Sequence, residues 1–411
     1  MAQLNITLDQ DEILSILADS SGEAFRHLLA QGINSILKAE SAEQLRAERY
    51  ERSDERTDFR NGIRERPLTT RIGTIDLVVP RHRNEPFKTM VFENYARSEA
   101  SLVTTMAEMV VAGVSTAKVG KVMEEICGRS FSKQAVSEAC KELDDAVSKF
   151  RGRRLEHPFP FVIVDATYVK VREDHRVKPK AFLIAIGVSS EGMKEVIGFD
   201  MADSEDEASW ARFLSSLVDR GLSGVRMVTS DACEGLVSAI LDAFPSAAWQ
   251  RCQAHFSRNV CELAPKGLKA GLRGELNEMF ACKTVEEAAI RRDEIASDYA
   301  EEAPGAVRCL IEGFEDAMTA MYVPQNMRTG LRTSNMIERL NREVKRRTRV
   351  IGIFPNRASA MRLIGSVLMD GHDKWASRGK MFYGPTYARF EEDVDELAEM
   401  AKRQRMMRKA S

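Results

Sequence analysis

The segment FVIVDATYVKVREDHRVKPKAFLIAIGVSSEGMKEVIGF, residues 161–199, carries the clearest strand pattern in the chain. Apolar runs at 161–164, 182–188 and 196–199 are separated by polar stretches, which predicts three consecutive strands. We place the first turn at 176–180, where basic residues interrupt the apolar pattern. Strands joined by short turns pair as an antiparallel meander.

Downstream of this meander, helices alternate with short strands. The pattern predicts an amphipathic helix over 204–222, a fourth strand over 225–229, a helix over 236–244 and a fifth strand over 247–250. A strand that follows a helix joins the sheet through a crossover connection. The order strand–strand–strand–helix–strand–helix–strand is that of an RNase H-like core. We therefore predict an α/β fold with a mixed sheet of this type.

Predicted helices flank and interrupt the sheet. Apolar residues recur at helical spacing over 11–50 and 99–150, with short strands expected near 68–79. An all-helical block is predicted over 256–322, between the fifth strand and the next motif, and we interpret it as an insertion into the core. The C-terminal tail alternates acidic and basic residues, which is typical of a solvated helix.

Capping signals divide residues 99–150 into three short helices. Gly113 is placed to end the first helix, and Ser132 is placed to cap the third. Three short helices with such turns resemble a helix-turn-helix module, whose last helix would present Lys133 and Gln134 to DNA. The same pattern is typical of an ordinary helical bundle, and the sequence leaves both interpretations open.

The overall charge exerts no pull toward nucleic acid, because 60 Lys and Arg stand against 62 Asp and Glu, for a net charge of −2. A basic surface must therefore come from local segregation of charge. Residues 332–349 supply one, with seven basic residues against two acidic ones. The candidates for contact with DNA phosphates on this predicted helix are Arg339, Arg342, Lys345 and Arg346.

The cysteine pattern and the apolar runs bear on the cellular compartment. The seven cysteines form no C-x2-C pair, which favours a reducing cytoplasm over a disulfide framework. The N-terminus lacks a basic start followed by an apolar run, and no apolar stretch is long enough for a membrane span. We expect a protein with no membrane association.

Three acidic residues stand at informative positions. Asp165 follows the first predicted strand, Asp231 follows the fourth, and Glu338 lies on the basic helix. In an RNase H-like sheet these two strands are neighbours, so their carboxyl ends bring the aspartates together, and a helix across the sheet edge adds the glutamate. Three carboxylates repel unless a cation balances them, and Mg²⁺ or Mn²⁺ suits oxygen ligands. Two such ions can catalyse phosphodiester displacement.

Each acid also has a structural explanation. Asp231 with Glu234, and Asn335 with Glu338, have the spacing of helix capping boxes. Asp165 could cap a turn. Taken singly, each explanation is as good as catalysis, so the case rests on three acids at the right ends of the right elements.

Four segments are similar to those of the bacterial Mutator-type transposases, the insertion-sequence relatives of the plant Mutator elements. The segments are RNGIRERPLTTRIGTIDLVVPRHR (60–83), DATYVKVREDHRVKPKAFLIAIGV (165–188), TSDACEGLVSAILDAFPSAAWQRCQAHFSRN (229–259) and LRTSNMIERLNREVKRRTRVIGIFPN (331–356). The resemblance implies a DDE transposase with an RNase H-like catalytic domain and a helical insertion. Matched residue by residue, the catalytic and metal-binding triad falls on Asp165, Asp231 and Glu338.

The resemblance also implies an activity and its partners. Such an enzyme uses two Mg²⁺ or Mn²⁺ ions per active site, cleaves at the ends of an insertion sequence, and joins strands by attack of a 3′-OH on a phosphodiester. Its partners would be the double-stranded DNA of the terminal inverted repeats and of the target, with a homodimer or larger assembly holding both ends. We expect a cytoplasmic, nucleoid-associated protein of a bacterium. A DNA-binding regulator without metal chemistry, and a nuclease that does not join strands, are the alternatives.

The domain organisation follows from the same comparison. It comprises an N-terminal region of helices and short strands (1–98), a helix-turn-helix-like DNA-binding domain (99–157), the first part of the catalytic core (158–255), the helical insertion (256–330), the second part of the core with the glutamate helix (331–375), and a helical tail (376–411).

The family also carries a C-x2-H signature after its second aspartate, here Cys252 and His255, with Trp249 just before it. Structural zinc normally has four ligands, so we interpret the pair as structural support beside the active site. Trp249 has two interpretations, which the sequence leaves open. It is either a core residue or a residue that holds a flipped base at the end of the element.

Overall fold

The computed structural model describes residues 23–51, 55–70, 73–127, 132–392 and 395–410. The helix predicted over 11–22 and the helix end predicted at Gly128 lie outside the described residues. The chain divides into two compact units, Met1–Cys140 and Lys141–Ser411.

The first unit begins with a helix packed on a hairpin. Helix α1 (Glu23–Leu45) is followed by strands β1 (Arg60–Thr70) and β2 (Gly73–His82), which pair antiparallel. The strands are longer than predicted. Their inward-facing side chains form one cluster with the helix, because alternate residues of a strand share a face. The buried members of this cluster are Leu37, Leu68, Ile75, Leu77 and Val79.

Three helices complete the first unit: α2 (Met90–Val111), α3 (Thr116–Cys127) and α4 (Lys133–Ala139). The predicted punctuation is confirmed, since Gly113 has a φ of 96° just after α2 and the Ser132 side chain accepts a hydrogen bond from the N–H of Ala135. Lys133 and Gln134 are exposed on α4. The buried side chains that hold the three helices together are Met106, Val119, Met123, Val136 and Ala139.

The second unit opens with α5 (Glu142–Gly152) and contains a mixed five-stranded sheet. Its strands are β3 (Phe161–Glu173), β4 (Arg176–Val188), β5 (Lys194–Ala202), β6 (Met227–Ser230) and β7 (Ala248–Arg251). Helix α6 (Glu207–Asp219) connects β5 to β6, and α7 (Glu234–Ala243) connects β6 to β7. The sheet order is β5-β4-β3-β6-β7.

The pairing directions confirm the predicted meander and crossovers. β3, β4 and β5 pair antiparallel, whereas β6 joins β3 and β7 joins β6 in parallel. Apolar side chains of α6 and α7 pack against one face of the sheet, with Trp210 and Ile240 fully buried. The predicted α/β class and strand order are therefore confirmed.

The turn predicted at 176–180 is wrong, because these residues belong to β4. Glu173 pairs with Arg176, so the turn consists of Asp174 and His175 alone, with φ values of 50° and 61°. Two left-handed residues match the twist of a two-residue hairpin loop. The basic residues of 176–180 misled the prediction because this end of the hairpin is polar while still paired.

Four helices after β7 form a block with its own core: α8 (Gln253–Glu262), α9 (Lys269–Ala281), α10 (Val285–Asp298) and α11 (Pro304–Met318). The prediction that 256–322 is helical is confirmed. The helices that follow are a short 3-10 turn (Thr319–Tyr322), α12 (Gln325–Leu331), α13 (Asn335–Thr348), α14 (Arg357–Ala376), α15 (Gly384–Glu392) and α16 (Asp395–Ala410).

The C-terminal helix α16 is packed on the sheet, which corrects the prediction of a solvated tail. Its Leu397 and Ala401 are buried. The Gln404 side chain accepts from the N–H of Trp249 (2.8 Å) and donates to the carbonyl oxygen of the same residue (2.7 Å). Since β7 is an edge strand, α16 covers backbone groups that an unpaired edge would expose.

Among the described residues, no helix is both long enough and apolar enough to cross a membrane.

Candidate active site

The parallel pairing of β3 and β6 sets the positions of two of the predicted acids. Ile163 lies opposite Thr229 in the register, so Asp165 and Asp231, each two residues further on, lie at the same level of the sheet. β6 ends at Ser230, whereas β3 continues well past this level. Asp165 therefore lies within a long strand rather than after one, beside the loop that begins at Asp231.

Two contacts fix the start of α13, the helix that carries Glu338. The Thr229 hydroxyl on β6 donates to the carbonyl oxygen of Leu331 (2.6 Å). The backbone N–H of Ser334 donates to Sγ of Cys252, which follows β7 (3.3 Å). The first turn of α13 is thereby tied to the same end of the sheet that holds the two aspartates.

His255 lies between these acids and the helical block. Its Nε2 is 3.8 Å from Oε1 of Glu338. Interaction with the Cys252 side chain raises the pKa of His255 to about 9, so the imidazole is protonated at neutral pH. His255 is therefore a cation inside the acidic cluster, which the sequence interpretation as structural support did not anticipate.

The protonation of Asp165 shows that the acids share one electrostatic neighbourhood. Burial raises the pKa of Asp165 to about 6. The nearby charges of Asp231 and Glu338 raise this pKa further, and His255 opposes the rise. The structure thus brings together the three acids that the sequence singled out.

The capping-box explanations for these acids are not observed. Helix α7 has Cys233 at its N-cap and α13 has Ser334, and neither position shows a side-chain capping hydrogen bond. Asp165 lies in extended β3, where its Oδ1 accepts from the N–H of Ala166 (2.9 Å), so it caps no turn.

A fourth acid, Glu205, belongs to the same neighbourhood and was missed by the sequence analysis. Burial raises its pKa to about 7, and the charges of Asp231 and Asp165 add to the rise while His255 opposes it. Glu205 lies between β5 and α6, in a stretch that the sequence assigned to the start of a helix. Its only sequence signal is its position shortly after a strand of the sheet.

The donor chemistry of the acids fits a hard divalent cation. Asp165, Asp231 and Glu338 offer carboxylate oxygens, the ligands that Mg²⁺ and Mn²⁺ prefer. A cation would also offset the burial that disfavours charge on Asp165. In the described parts of the chain, however, no three His, Cys, Asp or Glu side chains are close enough to hold a metal ion as they stand.

Exposed basic side chains flank Glu338 on α13. Arg339, Arg342, Lys345 and Arg346 are all exposed, as the sequence analysis expected. Arg347 differs, because it is 7% exposed and bonds to Glu343 and Asp370. It is a structural cation and adds nothing to the basic surface.

Trp249 is a core residue, and the prediction that it contacts DNA is wrong. The side chain is 1% exposed, and its indole N–H donates to Oγ of Ser230 (2.9 Å). The Arg408 guanidinium lies over its ring, 5.1 Å from the centroid. A base has no accessible ring surface on which to stack.

Replacing Cys252 by alanine is expected to lower the free energy of unfolding by about 1–3 kcal/mol, because the buried N–H of Ser334 is left without its acceptor. Urea denaturation followed by circular dichroism measures this change. Cys252→Ser, which retains an acceptor at this position, serves as the control and should be destabilised less. Equal stability of Cys252→Ala and the unaltered protein would contradict the role given to the thiol.

Comparison with known proteins defines the class. Residues 1–378 match the family model described as Transposase, Mutator family. The chain is 42% identical over 380 residues to the transposase for insertion sequence element IS256 in transposon Tn4001 of Staphylococcus aureus, an alignment that covers 91% of this chain and 97% of that protein. It is 38% identical over 356 residues to the transposase for ISRM5 of Rhizobium meliloti, covering 87% and 89%. It is also 38% identical over 380 residues to the transposase for IS1081 of Mycobacterium tuberculosis, covering 92% and 91%.

These matches place the protein in the class of DNA-processing enzymes that includes the transposases. More narrowly, the chain belongs to the Mutator family of transposases. The resemblance drawn from the four sequence segments is confirmed.

Proposed function

We propose that this protein is a DDE transposase that cuts DNA at the ends of an insertion sequence and joins the freed ends to a target. Asp165, Asp231 and Glu338 form its catalytic triad on an RNase H-like core. One observation carries the proposal: parallel strand register and a helix anchored to the same sheet end gather three carboxylates from positions far apart in the chain.

The triad would hold two divalent cations, Mg²⁺ or Mn²⁺. When bound, such a pair supplies charge neutralisation for in-line displacement at phosphorus. Asp165 and Asp231 contribute from adjacent strands, and Glu338 contributes from α13. Because the acids are not closely placed as they stand, the side chains must turn toward one another when cations and DNA arrive.

The reaction consists of two phosphoryl transfers without a covalent protein intermediate. Water attacks the phosphodiester at an element end, breaking the bond to the 3′ oxygen and freeing a 3′-OH. That oxygen then attacks a second phosphodiester, forming one P–O bond as another breaks. The protein's part is to position the strands and stabilise charge. Protonated His255 helps by limiting repulsion among the carboxylates.

The helical block α8–α11 supports the interpretation of an insertion. It has its own buried cluster and lies in the chain between β7 and the glutamate helix. We assign the three helices α2–α4 to recognition of the element ends, with Lys133 and Gln134 facing DNA from α4. Joining two ends requires both to be held at once, so a homodimer or larger assembly is expected.

The assay that tests this function incubates purified protein with labelled terminal-repeat duplex and Mg²⁺ or Mn²⁺. Joined strand-transfer products support the transposase. Cleavage without joining identifies a nuclease, and a gel shift without either product identifies a DNA-binding regulator. Both of these outcomes would overturn the proposal.

Neutralising the exposed cations of α13 is expected to weaken DNA binding and reduce its salt dependence. In a protein carrying Arg339→Gln, Arg342→Gln and Lys345→Gln, the slope of log affinity against log salt should fall by roughly 0.9 for each phosphate that the variant no longer neutralises. Arg346 is left in place because Glu343 already pairs with it. Affinity measured by fluorescence anisotropy at several salt concentrations gives the slope.

Arg291→Gln is the matched control, because Arg291 bonds to Glu278 (2.8 Å) and Glu294 (2.7 Å) in the helical block. Its charge is already balanced, so the slope should stay unchanged. An unchanged slope in the triple variant would show that α13 does not contact phosphates.

A further inference from the structure

A polar cavity lies between α8, α9 and the start of α13, all within the second unit. Its volume is about 500 Å³, inside the range of about 300–1,000 Å³ that small-molecule sites occupy. Three arginines line it: Arg258, Arg273 and Arg332. No aspartate or glutamate of the described residues lines it. The cavity is therefore suited to an anionic ligand.

Two of these arginines are available for a ligand. Across the described ranges, the side chains of Arg258 and Arg273 form no ion pair or hydrogen bond with the protein. Arg332 is fixed, since its Nη1 donates to the carbonyl oxygen of Phe280 (2.7 Å). Unpaired guanidinium groups around a concave surface raise the local positive potential, and their planar donors match phosphate oxygens.

The remaining lining suits a base as well as a phosphate. Asn277 and Asn335 contribute amide groups, which can both donate to and accept from the edge of a base. Phe280 forms an apolar part of the wall, against which a base can pack. A site for inorganic phosphate alone would need neither amides nor an aromatic wall.

The cavity shares two helices with the proposed active site. Arg258 lies one turn after His255 on α8, and Asn335 lies one turn before Glu338 on α13. A DNA strand whose phosphate reached the carboxylates would pass the mouth of the cavity. The adjoining nucleotide could then enter it without any rearrangement of the helices.

We propose that this cavity binds one unpaired nucleotide of the DNA strand, next to the phosphodiester that is cut. This inference rests on the proposed function, because it takes the ligand to be the DNA substrate. It assigns to the helical block the role of holding a nucleotide displaced from the duplex, a role that buried Trp249 does not fill. Removing a nucleotide from the stack exposes the adjacent backbone to the active site.

The test is a binding measurement in EDTA, without divalent metal. A blunt duplex is compared by fluorescence anisotropy with the same duplex carrying a short single-stranded tail at either its 3′ or its 5′ end. We expect about tenfold tighter binding of one tailed form, the size of effect that one packed base gives. Arg273→Gln and Asn277→Ala should each reduce this preference to near one while leaving blunt-duplex affinity within about twofold.

Arg308→Gln is the matched control, because Arg308 is exposed on α11 and lies outside the cavity lining. It should keep the tail preference. Arg273 and Asn277 are themselves exposed, so their replacement should leave the melting temperature unchanged. A tail carrying 5-iododeoxyuridine should also photo-crosslink to a peptide that contains Phe280.

Equal binding of blunt and tailed duplexes would overturn the inference, as would equal weakening of both by Arg273→Gln. Displacement of the tail by an equal concentration of free deoxynucleoside monophosphate would also overturn it, because the site would then take free nucleotides. Failure to bind any DNA would count against the proposed function itself. Binding without tail preference would count against the cavity alone.

Discussion

Replacing Asp165 by asparagine is expected to abolish both cleavage and strand transfer, with a loss of roughly 10³-fold or more, as for other residues that act as one catalytic unit. Asparagine keeps the shape of the side chain and an acceptor for the N–H of Ala166 but removes the negative charge. The measurement is product formation from labelled terminal-repeat DNA with Mg²⁺ or Mn²⁺. DNA affinity, measured by gel shift, should be unchanged.

The stability of this variant separates catalysis from folding. Burial disfavours the charged form of Asp165, so a neutral side chain of the same shape should leave the melting temperature unchanged or higher. Glu234→Gln is the control, because Glu234 is an exposed acid three residues from Asp231. It should retain activity. Joined products from Asp165→Asn at the unaltered rate would refute the assignment of Asp165.

Replacing Trp249 by alanine is expected to lower the free energy of unfolding by about 3–5 kcal/mol, the usual cost of removing a buried aromatic side chain. Trp249 packs in the main core cluster of the sheet and bonds to Ser230. Urea denaturation measures the destabilisation. The folded fraction should bind DNA with unchanged affinity, since the ring has no access to a base.

Trp249→Phe provides the conservative comparison. It keeps most of the buried ring but removes the hydrogen bond to Ser230, so its decrease in stability should be clearly smaller. If Trp249→Ala instead kept full stability and bound DNA more weakly, Trp249 would be a DNA contact after all.

The strand order could be predicted because the signals that define it are local. Alternating apolar runs and short turns give the meander, and helix-sized intervals require crossovers. Once β3 and β6 are neighbours, the nearness of Asp165 and Asp231 follows from the parallel register. The approach of Glu338 depends on contacts such as Thr229 with Leu331, which no pattern in the sequence announces.

The features that were missed depend on contacts between distant segments. Glu205 joins the acidic cluster because the loop after β5 folds back over the sheet end, although its sequence resembles a helix start. The C-terminal helix has the charge pattern of a solvated helix, yet Gln404 bonds to the backbone of an edge strand. Arg347 looks like its basic neighbours, but Asp370 on α14 pairs with it.

The central claim is that three carboxylates close around divalent cations when DNA binds. The most direct test is the anomalous diffraction of Mn²⁺ in crystals of the protein with terminal-repeat DNA. We predict manganese peaks within about 2.0–2.6 Å of carboxylate oxygens of Asp165, Asp231 and Glu338. Manganese bound elsewhere, or a Glu338 carboxylate that stays remote from both aspartates in the DNA complex, would contradict the account.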